Sequence, residues 1–354
     1  MNALKAMVFG AAAGLASALS APAIAIDMAE LRTDCDSESG RGHEWELQAA
    51  YCVIYADLAA DDEEKAFAWL HSGNALEELE RYGPAIADYS RAIELKPDYY
   101  GAWLNRGLAK RRSYDIEGAL ADYEKAMEID PTRPDAYNNR GSIRMAMEDH
   151  AAALADFERA VERAPGRPDL VFNRGFVRQL MGDSERALSD YDLIVAQGAE
   201  AEEWINLSMV QYRRGEVLKQ ADEPAAVRAF ETALAHNPEL SASHYYLAEL
   251  RGFGEPEVRD LGKALDHADA FVRMRPDNVQ GLYLRALLLA ESGDAEASIA
   301  AHRTIIDTYA GYAPAYLKAL EGKGYLDNGP EYDWTAAAQQ ALENCVREGC
   351  EPFE

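Results

Sequence analysis

The chain has 354 residues, 48% of them hydrophobic and 27% charged, and a formal net charge of −27 from 35 basic and 62 acidic side chains. That balance excludes disordered, collagen-like and low-complexity classes. It also makes nucleic acids and anionic membrane surfaces poor partners, because both would repel the chain.

Residues 1–25 read as a secretory signal. Lys5 supplies the positive start, Met7 to Leu19 form a short apolar stretch, and Ala23-Ile24-Ala25 fits a small-x-small cleavage pattern ahead of Asp27. Ala21-Pro22-Ala23 is a second candidate cleavage site, and a cytoplasmic chain with an apolar N-terminus is the alternative reading. The apolar stretch is too short to span a bilayer, so membrane insertion is not expected. The reading is therefore a periplasmic or secreted protein. Export makes the four cysteines interpretable, since disulfides persist in oxidising compartments. Four Cys allow three pairings. Only Cys35–Cys52 with Cys345–Cys350 avoids tying the two ends of the chain together. Two local disulfides are expected, with buried free thiols as the alternative. A closed loop of about 18 residues is worth roughly 3 kcal/mol on the chain-entropy model. Gly349 would supply the turn of the second bridge. Residues 26–65 are expected to hold the first bridge and one capping helix, Glu44 to Leu58.

The middle of the chain repeats itself. Gly73, Gly107, Gly141 and Gly175 recur at a step of 34 residues. Ala85, Ala119, Ala153 and Ala187 keep that step, as do Tyr89, Tyr123, Phe157 and Tyr191, and Pro97, Pro131 and Pro165. One unit, 66–99, shows the physics. Ala66 to Leu79 carry helical spacing through Trp69, Gly73 and Leu76. Gly73 stands mid-helix, where glycine costs about 1 kcal/mol against alanine, so another helix must cross closely there. Arg81 to Gly83 form a turn, and Pro84 suits the first turn of a second helix. Ala85, Tyr89 and Ala92 then share one face, and Pro97 stops the helix.

This order of Trp, Gly, Ala, aromatic, Ala and Pro resembles the tetratricopeptide repeat family. Residues 66–199 match as four regular units, although Ala199 replaces the fourth Pro. Residues 200–310 continue as three less regular units. Trp204 opens the fifth with about six extra residues in its first helix or turn, and the sixth is stretched near 252–257. Residues 311–354 read as a degenerate repeat and a C-terminal capping helix. The resemblance implies an all-α, right-handed solenoid of antiparallel helix pairs, about seven to eight repeats with capping helices.

The resemblance also places function in a concave groove lined by first helices, with the second, fifth, sixth, ninth and twelfth positions facing inward. The sixth positions are His71, Asn105, Asn139, Asn173 and Asn206, and Asn74 is a ninth. An amide offers both donor and acceptor, so a row of Asn can grip an extended backbone without reading its side chains. Related domains clamp a C-terminal carboxylate with Asn at the places of Asn74 and Asn105. Their basic partners are replaced here by Leu70, Asp135 and Asn139, which argues against that clamp. The alternative is that these Asn bond to neighbouring helices. Phe172, Phe176, Tyr212, Tyr245, Tyr246 and Tyr283 join the groove, and Phe172, Phe176 and Tyr245 are the stronger candidates for anchoring residues. Arg106, Arg140 and Arg174 recur at seventh positions, and Lys110, Arg144 and Arg178 at eleventh. Asp88, Asp122, Asp156 and Asp190 recur in the second helices, so the basic seam is either paired internally or open to an acidic ligand.

Catalysis finds little support. The seven His show no H-E-x-x-H spacing, and no phosphate-binding loop or nucleophile elbow is present. No enzyme activity, metal or cofactor is expected. The reading is an exported scaffold binding a protein or extended peptide. A cell-wall glycan binder using groove aromatics and an architectural subunit of an envelope assembly are the alternatives.

Overall fold

The computed structural model describes residues 27–36, 45–326 and 334–352. The secretory signal expected at 1–25 lies outside them. Eighteen α-helices and no strand are found among the described residues. No helix among them is long and apolar enough to cross a membrane. The chain divides into two units, residues 1–177 and 178–354.

The first unit opens with two helices, α1 (Met28–Asp36) and α2 (Trp45–Leu58). The sequence pattern predicts only the second. α1 is nine residues long and buries only Leu31 and Cys35, too little periodicity to register. The Cys35–Cys52 disulfide staples the two helices, with both cysteines fully buried. Then come antiparallel pairs: α3 (Asp62–Glu78) with α4 (Tyr82–Leu95), α5 (Tyr100–Arg112) with α6 (Ile116–Ile129), and α7 (Asp135–Ala146) with α8 (His150–Arg163). α9 (Pro168–Leu180) begins in this unit.

Each pair is locked by one ring and one missing side chain. A Cβ on Gly73 would meet the Tyr89 ring at 2.5 Å, one on Gly107 the Tyr123 ring at 2.7 Å, and one on Gly141 the Phe157 ring at 2.9 Å. Only glycine lets the helices approach so closely. The three rings are fully buried, against alanines at Ala85, Ala119 and Ala153 that are also fully buried.

The turn within each pair is equally regular. The Arg81, Asp115 and Asp149 amides donate to the carbonyls of Leu76, Lys110 and Arg144, wrapping the end of each first helix. That wrap needs a left-handed residue, supplied by Glu80, Tyr114 and Glu148 with φ between 56° and 67°. Asp115 and Asp149 then cap the second helices by accepting from the Gly118 and Ala152 amides. Much of the acidic excess thus does local work at helix starts, where it also meets the positive end of the dipole.

The second unit continues with α10 (Ser184–Gln197), α11 (Leu207–Leu218), α12 (Glu223–His236), α13 (Ser241–Phe253), α14 (Leu261–Met274), α15 (Val279–Glu291), α16 (Ala295–Thr308), α17 (Ala313–Gly322) and α18 (Ala336–Arg347). The extra residues of the fifth repeat form a 3₁₀ turn, Gly198–Glu203, ahead of α11 rather than lengthening it. Gly215 faces the Phe230 ring, where a Cβ would come to 2.7 Å. The last core gathers Ile299, Ile305, Tyr316, Leu320, Leu342 and Cys345. Cys345 and Cys350 are bridged across Gly349, which sits at φ +77°.

Candidate functional site

First helices carry the candidate residues, and the carboxylate partners of the basic ones come from the second helices behind them. In the second repeat, Arg106 grips Asp122 through Nε at 2.8 Å and a terminal nitrogen at 2.7 Å, while Lys110 reaches the same carboxylate at 2.9 Å. In the third, Arg140 makes the same fork to Asp156 at 3.0 and 2.7 Å, and Arg144 adds a contact at 2.8 Å. Asp122 and Asp156 side chains are 3% and 1% exposed. A buried carboxylate demands such partners. In the second unit Arg178 bonds Asp190 at 2.8 Å. The basic seam is therefore spent inside the repeats at Arg106, Lys110, Arg140, Arg144 and Arg178. Arg174 also has a partner and offers no open charge. The first repeat differs. Ser72 replaces the arginine, bonding Asp88 at 2.7 Å, and Arg91 supplies the charge. Burial pushes the Asp88 carboxyl above its usual range, opposed by Ser72 and Arg91.

Asn105 donates its amide to Asn74 at 2.8 Å, and the single Tyr89 hydroxyl proton is shared between the same Asn74 oxygen at 3.0 Å and Glu77 at 2.9 Å. Asn173 donates to Asn138 at 2.8 Å. Two members of the row thus use one hydrogen each on the preceding repeat, and Asn138 joins it as a residue the sequence reading missed. Asn139 makes no side-chain hydrogen bond among the described residues. Asn105, Asn139 and Asn173 are all only partly buried.

Asn206 does not belong to the row. Placing it there assumes that Trp204 lies inside a helix, but Trp204 follows the 3₁₀ turn and α11 starts at Leu207. Asn206 is the N-cap, accepting from the Ser208 amide at 2.9 Å and the Ser208 hydroxyl at 2.6 Å. The glycine sets the true register: Asn105 stands two residues before Gly107, so Arg213, two before Gly215, holds the equivalent place.

Phe172 and Phe176, one turn apart, stack with ring centroids 6.4 Å apart and are partly buried. Tyr245 packs against Tyr246 and Phe271 at 5.7 and 5.3 Å. It lines a cleft of about 360 Å³ with Glu249, Phe253, Tyr283, Leu287 and Glu351. Burial raises the Tyr245 hydroxyl pKa, helped by Glu249. No group of three metal-ligating side chains lies together among the described residues.

The sequence matches family models described as TPR repeat at 73–112 and 115–147, and as tetratricopeptide repeat at 134–167 and 257–313. No curated protein matches it. Among solved structures, it is similar to the C-terminal part of a TPR repeat-containing protein from Cytophaga hutchinsonii, with 12% identity, 73% of this chain and 99% of that one covered, and a TM-score of 0.57. It is also similar to the APC/C hetero-tetramer Cut9–Hcn1, with 15% identity over 74% of this chain and 48% of that chain, and a TM-score of 0.54. YrrB, a TPR protein with an unusual peptide-binding site, shares 23% identity over 55% of this chain and 96% of its own, with a TM-score of 0.46. The glycine-and-ring helix pairs, repeated at one step and matched by three family models, make this chain a tetratricopeptide repeat protein.

Proposed function

We propose that the protein is an exported protein–protein interaction scaffold whose first helices receive an extended segment of a partner. The observation that carries this reading is what remains on those helices once the charges are paired. Asn74, Asn105, Asn139 and Asn173 keep unused amide capacity and stay partly exposed, with Phe172 and Phe176 beside them. Packed helices lie ~10 Å apart, about three residues of extended chain at ~3.3 Å each. One amide per repeat can therefore meet every third residue of a ligand backbone. The aromatics would add selectivity, with Tyr245 doing so separately in the second unit.

Export is supported by the disulfides Cys35–Cys52 and Cys345–Cys350 together with the signal-like residues 1–25. Intact-mass analysis of the protein from its native host should show loss of that segment and no titratable thiols. Four free thiols would end the disulfide reading, and retention of residues 1–25 would end the export reading.

The groove reading is tested on an array of unrelated 12-residue peptides. Wild type should bind a subset, and the triple change Asn105→Ala, Asn139→Ala, Asn173→Ala should lose about 1 kcal/mol per amide, with the helical circular dichroism unchanged. Retained binding by the triple variant would overturn it.

A further inference from the structure

We propose that the second repeat carries a carboxylate-binding subsite made by the Arg111 guanidinium and the Tyr123 hydroxyl, which takes an Asp or Glu side chain of an extended ligand. The proposal rests on the groove reading above and names the side chain that the groove selects.

The argument comes from comparing one place in successive repeats. The ring of each second helix lies on the glycine of the first, so its far edge faces the residue one turn beyond that glycine. In the first repeat that residue is Glu77, and the Tyr89 hydroxyl donates to it at 2.9 Å. In the fourth it is Gln179, and the Tyr191 hydroxyl donates to its side-chain oxygen at 2.8 Å. In the third it is Met145, at most a weak acceptor, and in the fifth Lys219, which cannot accept; there the ring is Phe157 or Phe230, with no hydroxyl. Hydroxyl and acceptor come and go together in these four repeats.

The second repeat breaks the rule. Tyr123 keeps its hydroxyl, but the facing position is Arg111, which can only donate. Tyr123 is fully buried, and its hydroxyl oxygen has no hydrogen-bond partner. The Arg111 side chain makes no ion pair or hydrogen bond among the described residues, whereas the neighbouring Arg112 pairs with Glu77 at 3.3 Å. Arg111 and Glu77 are the charges that act most on the Tyr123 hydroxyl after its burial, so the two donors share one locality. A buried hydroxyl seeks a partner; the two oxygens of Glu77, the carboxylate of this locality, are engaged by Tyr89 and Arg112, so an incoming oxygen that accepts from both Arg111 and Tyr123 completes the pair. A carboxylate oxygen does this with a charge-assisted bond to the guanidinium. The repeats on either side continue the first-helix face, so a ligand chain passes through rather than ending here. That favours a side-chain carboxylate over a chain terminus.

Two changes test it without threatening the fold, because each copies another repeat. Arg111→Gln recreates the Tyr191–Gln179 arrangement, and Tyr123→Phe recreates Phe157. Three labelled probes share one sequence drawn from the array binders: one with a central Glu and an amidated end, one with Gln there and an amidated end, and one with Gln and a free C-terminal carboxylate. Wild type should prefer the Glu probe over the amidated Gln probe about tenfold. Arg111→Gln should abolish the preference, and Tyr123→Phe should reduce it severalfold. Equal binding of the Glu and Gln probes by wild type overturns the subsite but leaves the groove reading standing. A preference confined to the free terminus overturns the side-chain assignment. Failure of every array peptide to bind overturns both readings. A Tyr123→Phe variant that binds all probes as wild type does overturns the hydroxyl's part.

Discussion

Single residues show how the same alignment column can hold different physics. Asp156 is 1% exposed and held by two arginines, whereas Asp88 is held by Ser72 and by Arg91, whose side chain is 53% exposed. Removing Asp156 leaves Arg144 without an ion pair among the described residues and Arg140 with only Glu124, and breaking a buried pair costs about 3 kcal/mol or more. Asp88 pairs with an exposed arginine, and an amide oxygen can still accept from the Ser72 hydroxyl, so a neutral amide there loses little. Asp156→Ala should lower the urea midpoint strongly, and Asp88→Asn should cost under about 1 kcal/mol. Equal losses would mean that the ladder is energetically uniform. The step of 34 residues displays these Asp in the sequence, and with them the choice between pairing and an open seam. What the sequence does not show is that one carboxylate takes two cations of its own repeat, since that depends on where side chains bend.

At the scale of elements, the helices and their glycine-on-ring packing were legible because small and aromatic residues recur at fixed steps. The ends were less so. The Asp caps at Asp115, Asp149 and Asp183 also recur at the repeat step, so the sequence displays the starts of these second helices as well. Asn206 was misplaced because Trp204 resembles a helix opener, while the backbone had already spent those residues on a 3₁₀ turn. α1 was missed because two buried residues make no period. The left-handed turn gives a direct test. Gly182 takes the left-handed place in the second unit that Glu148 takes in the first, at φ +80° against +63°. A side chain there costs roughly 1 kcal/mol. Glu148→Gly should therefore raise stability by about that amount, measured as a shift in urea midpoint at constant m-value. A loss of stability would show that the Glu148 side chain does something the backbone geometry hides.

The whole molecule should respond to acid unevenly. His267 and His302, both in the second unit, are held neutral by burial down to about 4, His267 with added repulsion from His244 and Arg251. His302 is fully buried against the Tyr316 hydroxyl at 2.9 Å, and His267 shares a 2.9 Å contact with His244. An unfolded imidazole takes a proton near ~6.5. As pH falls from there to about 4, the unfolded chain binds protons that the folded chain refuses, so the second unit loses stability. In the first unit, burial raises Glu77 and Asp88. Their folded forms take protons before the unfolded ones do, which favours folding as acid rises. Hydrogen exchange at pH 7 and pH 5 should show protection falling in α14 and α16 while α4 and α6 hold. Parallel loss in all four helices would contradict this assignment.

The most direct test of the central claim is a hydrogen-exchange footprint of the full chain with the tightest peptide from the array. A segment lying across first helices predicts added protection in α3, α5, α7 and α9, which carry the amide row and the stacked phenylalanines. Their partners α4, α6 and α8 should change little. Protection concentrated in α4, α6 and α8 would place the partner on the opposite face and contradict the account.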